Sequence, residues 1–181
     1  MIQLGALPAA GFDEPVRMLS DCHRRIEQFL ESFLDVAKNA SEHLNAEDRG
    51  QLVAALRYFA HSGQLHTSDE DESLFPRLRA HANKLRVQMA LETLDHLDRD
   101  HQLAHEEHAA AEVLGHRWLS AGHLSGDDRV SLVASLESLQ ELYRAHILLE
   151  ETFVFPLAIE VLSPAEITRV GAEMRLRHTG K

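Results

Sequence analysis

One unit of this chain occurs twice, and it is built from residue types that bind metal ions. The copies are His66-x-x-x-Glu70 ending at Phe75-Pro76 and His146-x-x-x-Glu150 ending at Phe155-Pro156, with corresponding residues 80 positions apart. Side chains four residues apart share one face of an α-helix, roughly 5–6 Å from each other. Each copy therefore presents an imidazole and a carboxylate together. Two copies that face each other predict a cage for two metal ions.

Weaker versions of the unit occur on two further predicted helices. His23-x-x-x-Glu27 and His101-x-x-x-His105 have the same spacing. The ligand candidates fall on the same stripes as leucines and phenylalanines, where a carboxylate is costly unless it is paired, protonated or coordinated. A lone inward histidine is more often hydrogen-bonded within a core than bound to a metal. Agreement of four helices in one spacing favours the metal site over that alternative.

The types of ligand narrow the choice of metal. Cys22 is the single cysteine of the chain, so no set of thiolates exists for a structural zinc site. Mixed imidazole and carboxylate ligands suit iron and tolerate manganese, zinc or cobalt. The six or seven candidate ligands exceed the needs of one ion. We therefore predict two iron ions bridged by Glu70 and Glu150, with histidines completing each side.

The spacing of apolar residues predicts the elements that position these groups. Apolar side chains recur at intervals of three and four, and proline and glycine are scarce inside long stretches, which indicates an all-α chain. A short fifth helix should begin at the capping sequence Ser163-Pro164-Ala165-Glu166. The predicted helices span about 13–39, about 45 to Pro76, about 84–121, from after Asp127 to about 162, and about 164–177.

Four long helices with short connections specify an up-down-up-down four-helix bundle. We predict one domain over residues 1–181, with the bundle core at about 13–162 and the short helix at about 164–177. Within the second helix, Ser62-Gly63 should loosen the backbone, and Pro76 should end or kink it.

In combination, these motifs resemble the hemerythrin-like (HHE cation-binding) family, whose members are four-helix bundles around a non-haem di-iron centre. The resemblance covers roughly residues 15–160, and the matching motifs are Asp21-Cys22-His23, His66-x-x-x-Glu70 through Phe75-Pro76, Asp100-His101, and His146-x-x-x-Glu150-Glu151 through Phe155-Pro156. By this resemblance the iron ligands are His23, His66, Glu70, His101, His146 and Glu150.

The resemblance also bears on His105 and on the choice of carboxylate in the fourth helix. Oxygen-carrying hemerythrins have a His-x-x-x-His pair on their third helix, which His101 and His105 reproduce, so we include His105 among the metal ligands. The carriers place an aspartate five residues after the histidine of the fourth helix, whereas this chain has Glu150 at four and Glu151 at five. We choose Glu150, because that spacing keeps it on the apolar stripe and matches Glu70.

Other polar residues lie near the predicted stripes. We interpret Glu27 as an acceptor behind a ligand rather than as a ligand, and His108 as inward-facing, beside the ligands or along an access path. Tyr143 either hydrogen-bonds a ligand or packs in the core, and Cys22 is a packed, inert thiol. The histidines that we expect to be exposed are His43, His61, His81, His96, His116, His123 and His178.

Composition restricts the class of partner. The 181 residues include 18 basic and 29 acidic side chains, for a formal charge of −11, which argues against nucleic acid or an anionic membrane as partner. No stretch approaches the roughly 18 uncharged residues of a membrane span. The opening Met1-Ile2-Gln3-Leu4 has no basic leader region. Together with the single cysteine, these features indicate a cytoplasmic protein.

Three classes of function fit a centre of this kind. The first is binding of O2 or NO for storage or sensing. The second is a stress-linked oxidoreductase acting on NO or peroxide, or a repair protein that donates iron. The third is an iron-responsive regulatory module, in which metal binding stabilises a bundle that a partner recognises. We favour the first, a metal- and O2-binding protein rather than an enzyme, with O2 or NO as its small-molecule partner.

Overall fold

The computed structural model describes residues 10–41 and 43–180. Within these ranges the chain is helical apart from its connections and one isolated bridge between His43 and His123, so the predicted all-α class is confirmed. None of the described helices is long and apolar enough to cross a membrane. The expectation that residues 1–4 form no leader region concerns a segment outside the described residues.

Eight α-helices and three π-helical turns make up the described part of the chain. The α-helices are α1 (Pro15–Asn39), α2 (Ala46–Tyr58), α3 (Gln64–Asp69), α4 (Phe75–Ala80), α5 (Leu85–Ala121), α6 (Gly126–Leu149), α7 (Phe155–Val161) and α8 (Pro164–Thr179). The π turns are π1 (Phe59–Gly63), π2 (Glu70–Leu74) and π3 (Glu150–Val154). The predicted short fifth helix is α8, which ends two residues later than expected.

The elements join into four rods that alternate in direction. Residues 46–80 form one continuous second rod, residues 126–161 form the fourth, and α1 and α5 are the first and third. The start of each rod lies beside the end of a neighbour, as shown by the contacts Arg49–Leu119 and Arg79–Asp98 between the second rod and α5, and Arg129–Ala37 and Ser20–Glu151 between the fourth rod and α1. These directions are those of the predicted bundle. The assignment of residues 1–181 to one domain stays a prediction.

The two π turns π2 and π3 occupy the same place in the repeat, directly before Phe75-Pro76 and Phe155-Pro156. A proline has no N–H, and in an α-helix its ring clashes with the carbonyl four residues earlier. The wider turn accommodates this, with the N–H of Phe75 and of Phe155 donating to the carbonyls of Glu70 and Glu150. The prediction that Pro76 ends the helix therefore needs correction, and the alternative that it kinks the helix stays a prediction. A π turn precedes the proline, and the rod continues to Ala80.

A layer of polar residues separates two apolar clusters inside the bundle. One cluster includes Ile26, Leu56, Ala104 and Leu139, and the other includes Leu19, Leu74, Leu97 and Val154. Along every rod, the candidate metal ligands fall between a residue of the first cluster and a residue of the second. On each of the four rods, the inward side chains change from apolar to polar at the same level. The candidate ligands therefore lie at a common depth in the bundle.

Gly115 provides a test of the packing that positions this layer. A Cβ atom at Gly115 in α5 would lie 2.9 Å from Leu56 Cδ2 and 3.2 Å from Phe33 Cζ. We predict that Gly115→Val lowers the free energy of unfolding by about 2 kcal/mol, since overpacking a core costs about 1–3 kcal/mol.

The matched control is Gly50→Val in α2, where a Cβ atom meets nothing within 4 Å. That variant should stay within about 0.5 kcal/mol of the parent in urea denaturation, as exposed substitutions usually do. Equal losses for both variants would contradict the close approach of α5 to α1 and α2.

Candidate metal centre

Six of the seven predicted ligands meet in the polar layer. Each rod contributes at least one, and none is more than 8 % exposed. The six are His23 from α1, His66 from α3, Glu70 from π2, His101 from α5, His146 from α6 and Glu150 from π3. Their convergence is what the sequence predicted, and their role as ligands stays a prediction.

The ligand atoms form two overlapping groups. His23, His66, Glu70 and Glu150 each offer an atom within 4.8 Å of the others, and so do Glu70, His101, His146 and Glu150. Both carboxylates belong to both groups, so they lie between two pairs of histidines. The approaches of Nε2 to a carboxylate oxygen are 3.0 Å for His23–Glu150, 3.5 Å for His66–Glu70, 3.4 Å for His101–Glu70 and 3.3 Å for His146–Glu150.

The chemistry of this layer fits bound metal ions. Five buried atoms of this layer make no aligned hydrogen bond with the described residues. They are the four carboxylate oxygens of Glu70 and Glu150 and Nε2 of His23. A buried, unpaired carboxylate is strongly unfavourable. Divalent cations shared between the two side chains would satisfy these oxygens, and neutral imidazoles would complete the coordination.

Three carboxylates behind the histidines orient the rings, and we call Asp71, Asp100 and Glu151 the outer carboxylates. His101 Nδ1 lies 2.8 Å from Asp71, His146 Nδ1 lies 3.3 Å from Asp100, and His23 Nδ1 lies 2.9 Å from Glu151. A carboxylate at Nδ1 fixes the tautomer and turns Nε2 towards a metal.

Each outer carboxylate is the chain neighbour of one candidate ligand and contacts a histidine on the next rod. Asp71 follows Glu70, Asp100 precedes His101, and Glu151 follows Glu150. The contacts therefore link the second rod to α5, α5 to the fourth rod, and the fourth rod to α1. This role of Asp71 and Asp100 was not predicted, although their positions beside predicted ligands were a usable signal. Glu151 was considered only as an alternative to Glu150, and it lies behind His23.

Aromatic rings of the repeated unit pack against the same histidines. Phe155 stacks on His23 with centroids 5.3 Å apart and an interplanar angle of 7°, and Phe75 stacks on His101 at 6.0 Å and 3°. Positions 75 and 155 are 80 apart, as are positions 71 and 151. The two halves of the bundle thus make equivalent contacts to one histidine each, as expected for a pseudo-twofold centre.

The pKa values of the buried glutamates and histidines indicate which protons bound metal ions would replace. Burial, together with the neighbouring Glu150, raises the pKa of Glu70 to about 7. Burial opposes ionisation of Glu150 too, but the imidazoles of His146 and His23, at 3.3 and 3.0 Å from its carboxylate, hold its pKa well below the usual range. Against the effect of burial, hydrogen bonds with carboxylates raise the pKa of His23 to about 9 and that of His101 to about 10. Protons therefore supply the positive charge that the carboxylates require.

His105 does not join the centre, which corrects its assignment as a ligand. It is exposed and belongs to neither group. The inward positions of α5 advance alternately by three and four residues, through Val87, Ala90, Leu94, Leu97, His101 and Ala104. Position 105 falls beside this seam because the step after His101 is three.

The structure also locates the other polar residues for which a prediction was made from the sequence. Glu27 is exposed and belongs to neither group of ligand atoms, and its interpretation as an acceptor behind a ligand stays a prediction. Burial raises the pKa of the Cys22 thiol to about 12, in line with an inert thiol. His108 is half-buried, and its Nε2 lies 2.9 Å from the Tyr143 hydroxyl. The histidines found exposed as predicted are His43, His61, His96, His116 and His123.

His81 and His178 were expected to be exposed, and this expectation was wrong. Both are half-buried, because α8 packs against the bundle and contributes to each pair. His81 lies 2.8 Å from Glu166, and His178 lies 2.8 Å from Asp69. Neither contact was visible from the sequence, since both depend on where α8 docks.

Helix α8 fixes the turn that presents Glu70. Asp69 precedes Glu70 and is only 1 % exposed, and its carboxylate accepts hydrogen bonds from Arg177 and pairs with His178. Arg177 also donates to Ser73 Oγ in π2. In the other half of the repeat, the positions corresponding to 69 and 73 are Leu149 and Phe153. The polar residues on the second rod are thus specific to the docking of α8.

A helical bundle that encloses histidines and carboxylates in this arrangement is typical of proteins that bind cations inside a bundle. Residues 14–158 match the family model described as the hemerythrin HHE cation binding domain. The chain therefore belongs to the hemerythrin HHE cation-binding family, and α8 lies beyond the matched residues. It is also similar to an uncharacterized protein of Haemophilus influenzae, at 27% identity over 176 residues, which are 95% of this chain and 94% of that protein.

The first prediction for the site concerns Arg177. Arg177→Ala should lower the free energy of unfolding by about 3 kcal/mol, because it leaves the buried carboxylate of Asp69 with His178 as its remaining partner among the described residues. The control is Arg144→Ala, whose pair with Glu141 is exposed on one helix face and should contribute about 0.5 kcal/mol or less. Chemical denaturation of both variants would test this, and similar losses would contradict the proposed docking of α8.

The second prediction compares three histidines of α5. His101→Ala should remove most of the bound metal, because it deletes a candidate ligand of one group. His96→Ala and His105→Ala should keep metal content near that of the parent, since both side chains are exposed and outside the groups. Metal content per folded chain, measured by mass spectrometry after dialysis, would decide the matter. Equal losses at positions 101 and 96 would show that the inward face of α5 is assigned wrongly.

Proposed function

We propose that this chain is a non-haem di-iron protein that binds O2 or NO between the four rods, in the cytoplasm. The supporting observation is that Glu70 and Glu150 each belong to both groups of candidate ligands. A carboxylate shared by two histidine pairs is the arrangement expected for two ions bridged by two side chains. One ion alone would leave one histidine pair without a role.

The choice of iron follows from the set of donors. Each ion would have two histidines and two shared carboxylates, a mixed set that suits iron and that manganese or zinc can also occupy. Iron commonly takes six ligands, so four from the protein leave positions for a small molecule. The iron pair would supply the affinity for O2 or NO, which the side chains alone do not have.

The residues of the chain contribute orientation and exclusion of water. The outer carboxylates hold Nε2 of His23, His101 and His146 towards the centre. The apolar clusters on either side of the polar layer would keep solvent from bound ions, which would favour a diatomic ligand over bulk water.

A second candidate is an oxidoreductase that acts on NO or peroxide. The observation in its favour is the exposure of His105, which leaves four histidines rather than five near the carboxylates. Fewer protein ligands leave more positions for reacting molecules, and this would favour turnover over reversible binding.

The proposal is tested by reconstitution with ferrous iron under anaerobic conditions, followed by exposure to air. We expect two irons per chain and a visible charge-transfer band that appears with O2 and disappears when O2 is removed. Consumption of NO or peroxide with bleaching of the band would instead support the second candidate. A saturating stoichiometry of one iron per chain would contradict the dinuclear centre.

The matched control is Glu70→Gln, which keeps the shape of the side chain and removes its negative charge. This variant should bind iron much more weakly and show no band. The parent should gain about 2.7 kcal/mol of stability when free iron is 100-fold above its dissociation constant, and the variant should gain far less. Loss of iron without loss of helicity in the variant would assign the effect to the carboxylate.

A further inference from the structure

A second feature of the molecule lies beside the candidate centre. A cavity of about 340 Å³ separates the second rod from α5 and reaches His101 and the outer carboxylate Asp71. An apolar cavity of about 150 Å³ holds a benzene-sized molecule, and small-molecule sites begin near 300 Å³. The cavity is therefore larger than O2 or NO requires and is sized for a bicyclic organic molecule.

The cavity arises where the chain departs from its own repeat. The second rod has Ala60, Gly63 and Thr67 where the fourth rod, 80 residues later, has Gln140, Tyr143 and Ile147. Small side chains on the second rod leave the gap, while Tyr143 from the fourth rod reaches into its wall. π1 also lines the gap and has no counterpart in the fourth rod, because α6 is regular over residues 139–143. π turns inside helices frequently occur at functional sites.

The lining combines an apolar floor with one polar pair. The floor consists of buried side chains of Phe33, Leu56, Phe59, Ala104 and Ala111. At one end, His108 Nε2 lies 2.9 Å from the Tyr143 hydroxyl, and the His108 ring lies 4.4 Å from that of Phe59. An aromatic ring would find a flat apolar surface here, and a hydroxyl would find a hydrogen-bonding partner within reach of that surface.

The charges around the cavity restrict its occupant. Asp71 and Glu112 stand at the rim, and the chain has a formal charge of −11. Burial, together with the nearby His105, lowers the pKa of His108 to about 4, so the polar pair is uncharged near neutrality. The imidazole of His101 also lines the cavity, but it is already paired with Asp71 and Glu70, so it offers an anion no unpaired positive charge. The rim carboxylates repel an anion, and an anionic ligand is therefore disfavoured.

We propose that this cavity binds a neutral aromatic alcohol, with its ring against Phe59 and its hydroxyl joined to the His108–Tyr143 pair. Because His101 lines the cavity, the occupant would lie beside one of the candidate metal ligands. This cavity is separate from the site for O2 or NO, and its occupancy does not depend on which metal the centre binds.

The test uses the metal-free full chain, so that it does not depend on the di-iron proposal. Titration with 1-naphthol, followed by its fluorescence and by calorimetry, should give saturable binding of one molecule per chain. Naphthalene should bind about fivefold more weakly, the factor for one net hydrogen bond. The anion 1-naphthoate should bind more weakly than either. Absence of saturable 1-naphthol binding, or tighter binding of the anion, would overturn the proposal.

Two pairs of measurements locate the site. Ala109 and Ala110 are both exposed on α5, but only Ala109 lines the cavity. Ala109→Trp should weaken 1-naphthol binding at least tenfold, whereas Ala110→Trp should change it less than twofold. Tyr143→Phe should remove the preference for 1-naphthol over naphthalene while keeping the binding of naphthalene. Equal effects at 109 and 110, or an unchanged preference in Tyr143→Phe, would place the bound molecule elsewhere.

The same variants separate this proposal from that of the centre. Iron stoichiometry measures the centre, and 1-naphthol affinity of the metal-free chain measures the cavity. With iron bound, 1-naphthol should shift the visible spectrum of the parent and leave that of Ala109→Trp unchanged. A chain that binds 1-naphthol but only one iron would retain the cavity proposal and lose the dinuclear one.

Discussion

Two carboxylates that face each other in an apolar interior are the constraint on which the rest of this structure depends. Glu70 and Glu150 are fully buried, and their oxygens make no aligned hydrogen bond with the described residues. Such a pair requires positive charge close by. Without metal, burial and Glu150 shift the pKa of Glu70 upward, while carboxylates raise those of His23 and His101. Two cations would meet the same need and displace those protons.

The surrounding structure can be understood as the means of holding that pair in place. Helix α8 fixes the turn before Glu70 through Asp69 and Arg177, and the outer carboxylates connect one rod to the next. The π turns begin at the two glutamates and accommodate the prolines that follow. The apolar clusters above and below then confine the polar side chains to a single layer.

The parts of this arrangement that could be predicted from the sequence are those in which helical periodicity alone determines where a side chain lies. The repeat of histidine and glutamate at a spacing of four identified both carboxylates and two of the histidines, and helical spacing gave the bundle. The prediction for His105 was wrong because it used only the four-residue spacing from His101. The buried face of α5 continues from His101 to Ala104, three residues later. That face alternates steps of three and four, and it was present in the sequence.

Other features depend on contacts between distant parts of the chain. Asp71 and Asp100 point away from their own ligand neighbours towards the next rod, so only the packed bundle reveals their partners. The burial of His81 and His178 requires α8 to be docked. The π turns π2 and π3 arise because the helical backbone must accommodate the proline that follows. A pattern of hydrophobic residues does not predict such a turn. The cavity was present in the sequence only as small residues that interrupt the repeat.

The most direct test of the bridging carboxylates is a crystal structure of the iron-loaded chain with anomalous data collected at the iron absorption edge. Two anomalous peaks should appear about 3.5–4 Å apart, the usual spacing of paired ions. One should lie beside His23 and His66, and the other beside His101 and His146, with both carboxylates between them. A single peak, or peaks bound by only one of the two glutamates, would contradict this description of the centre.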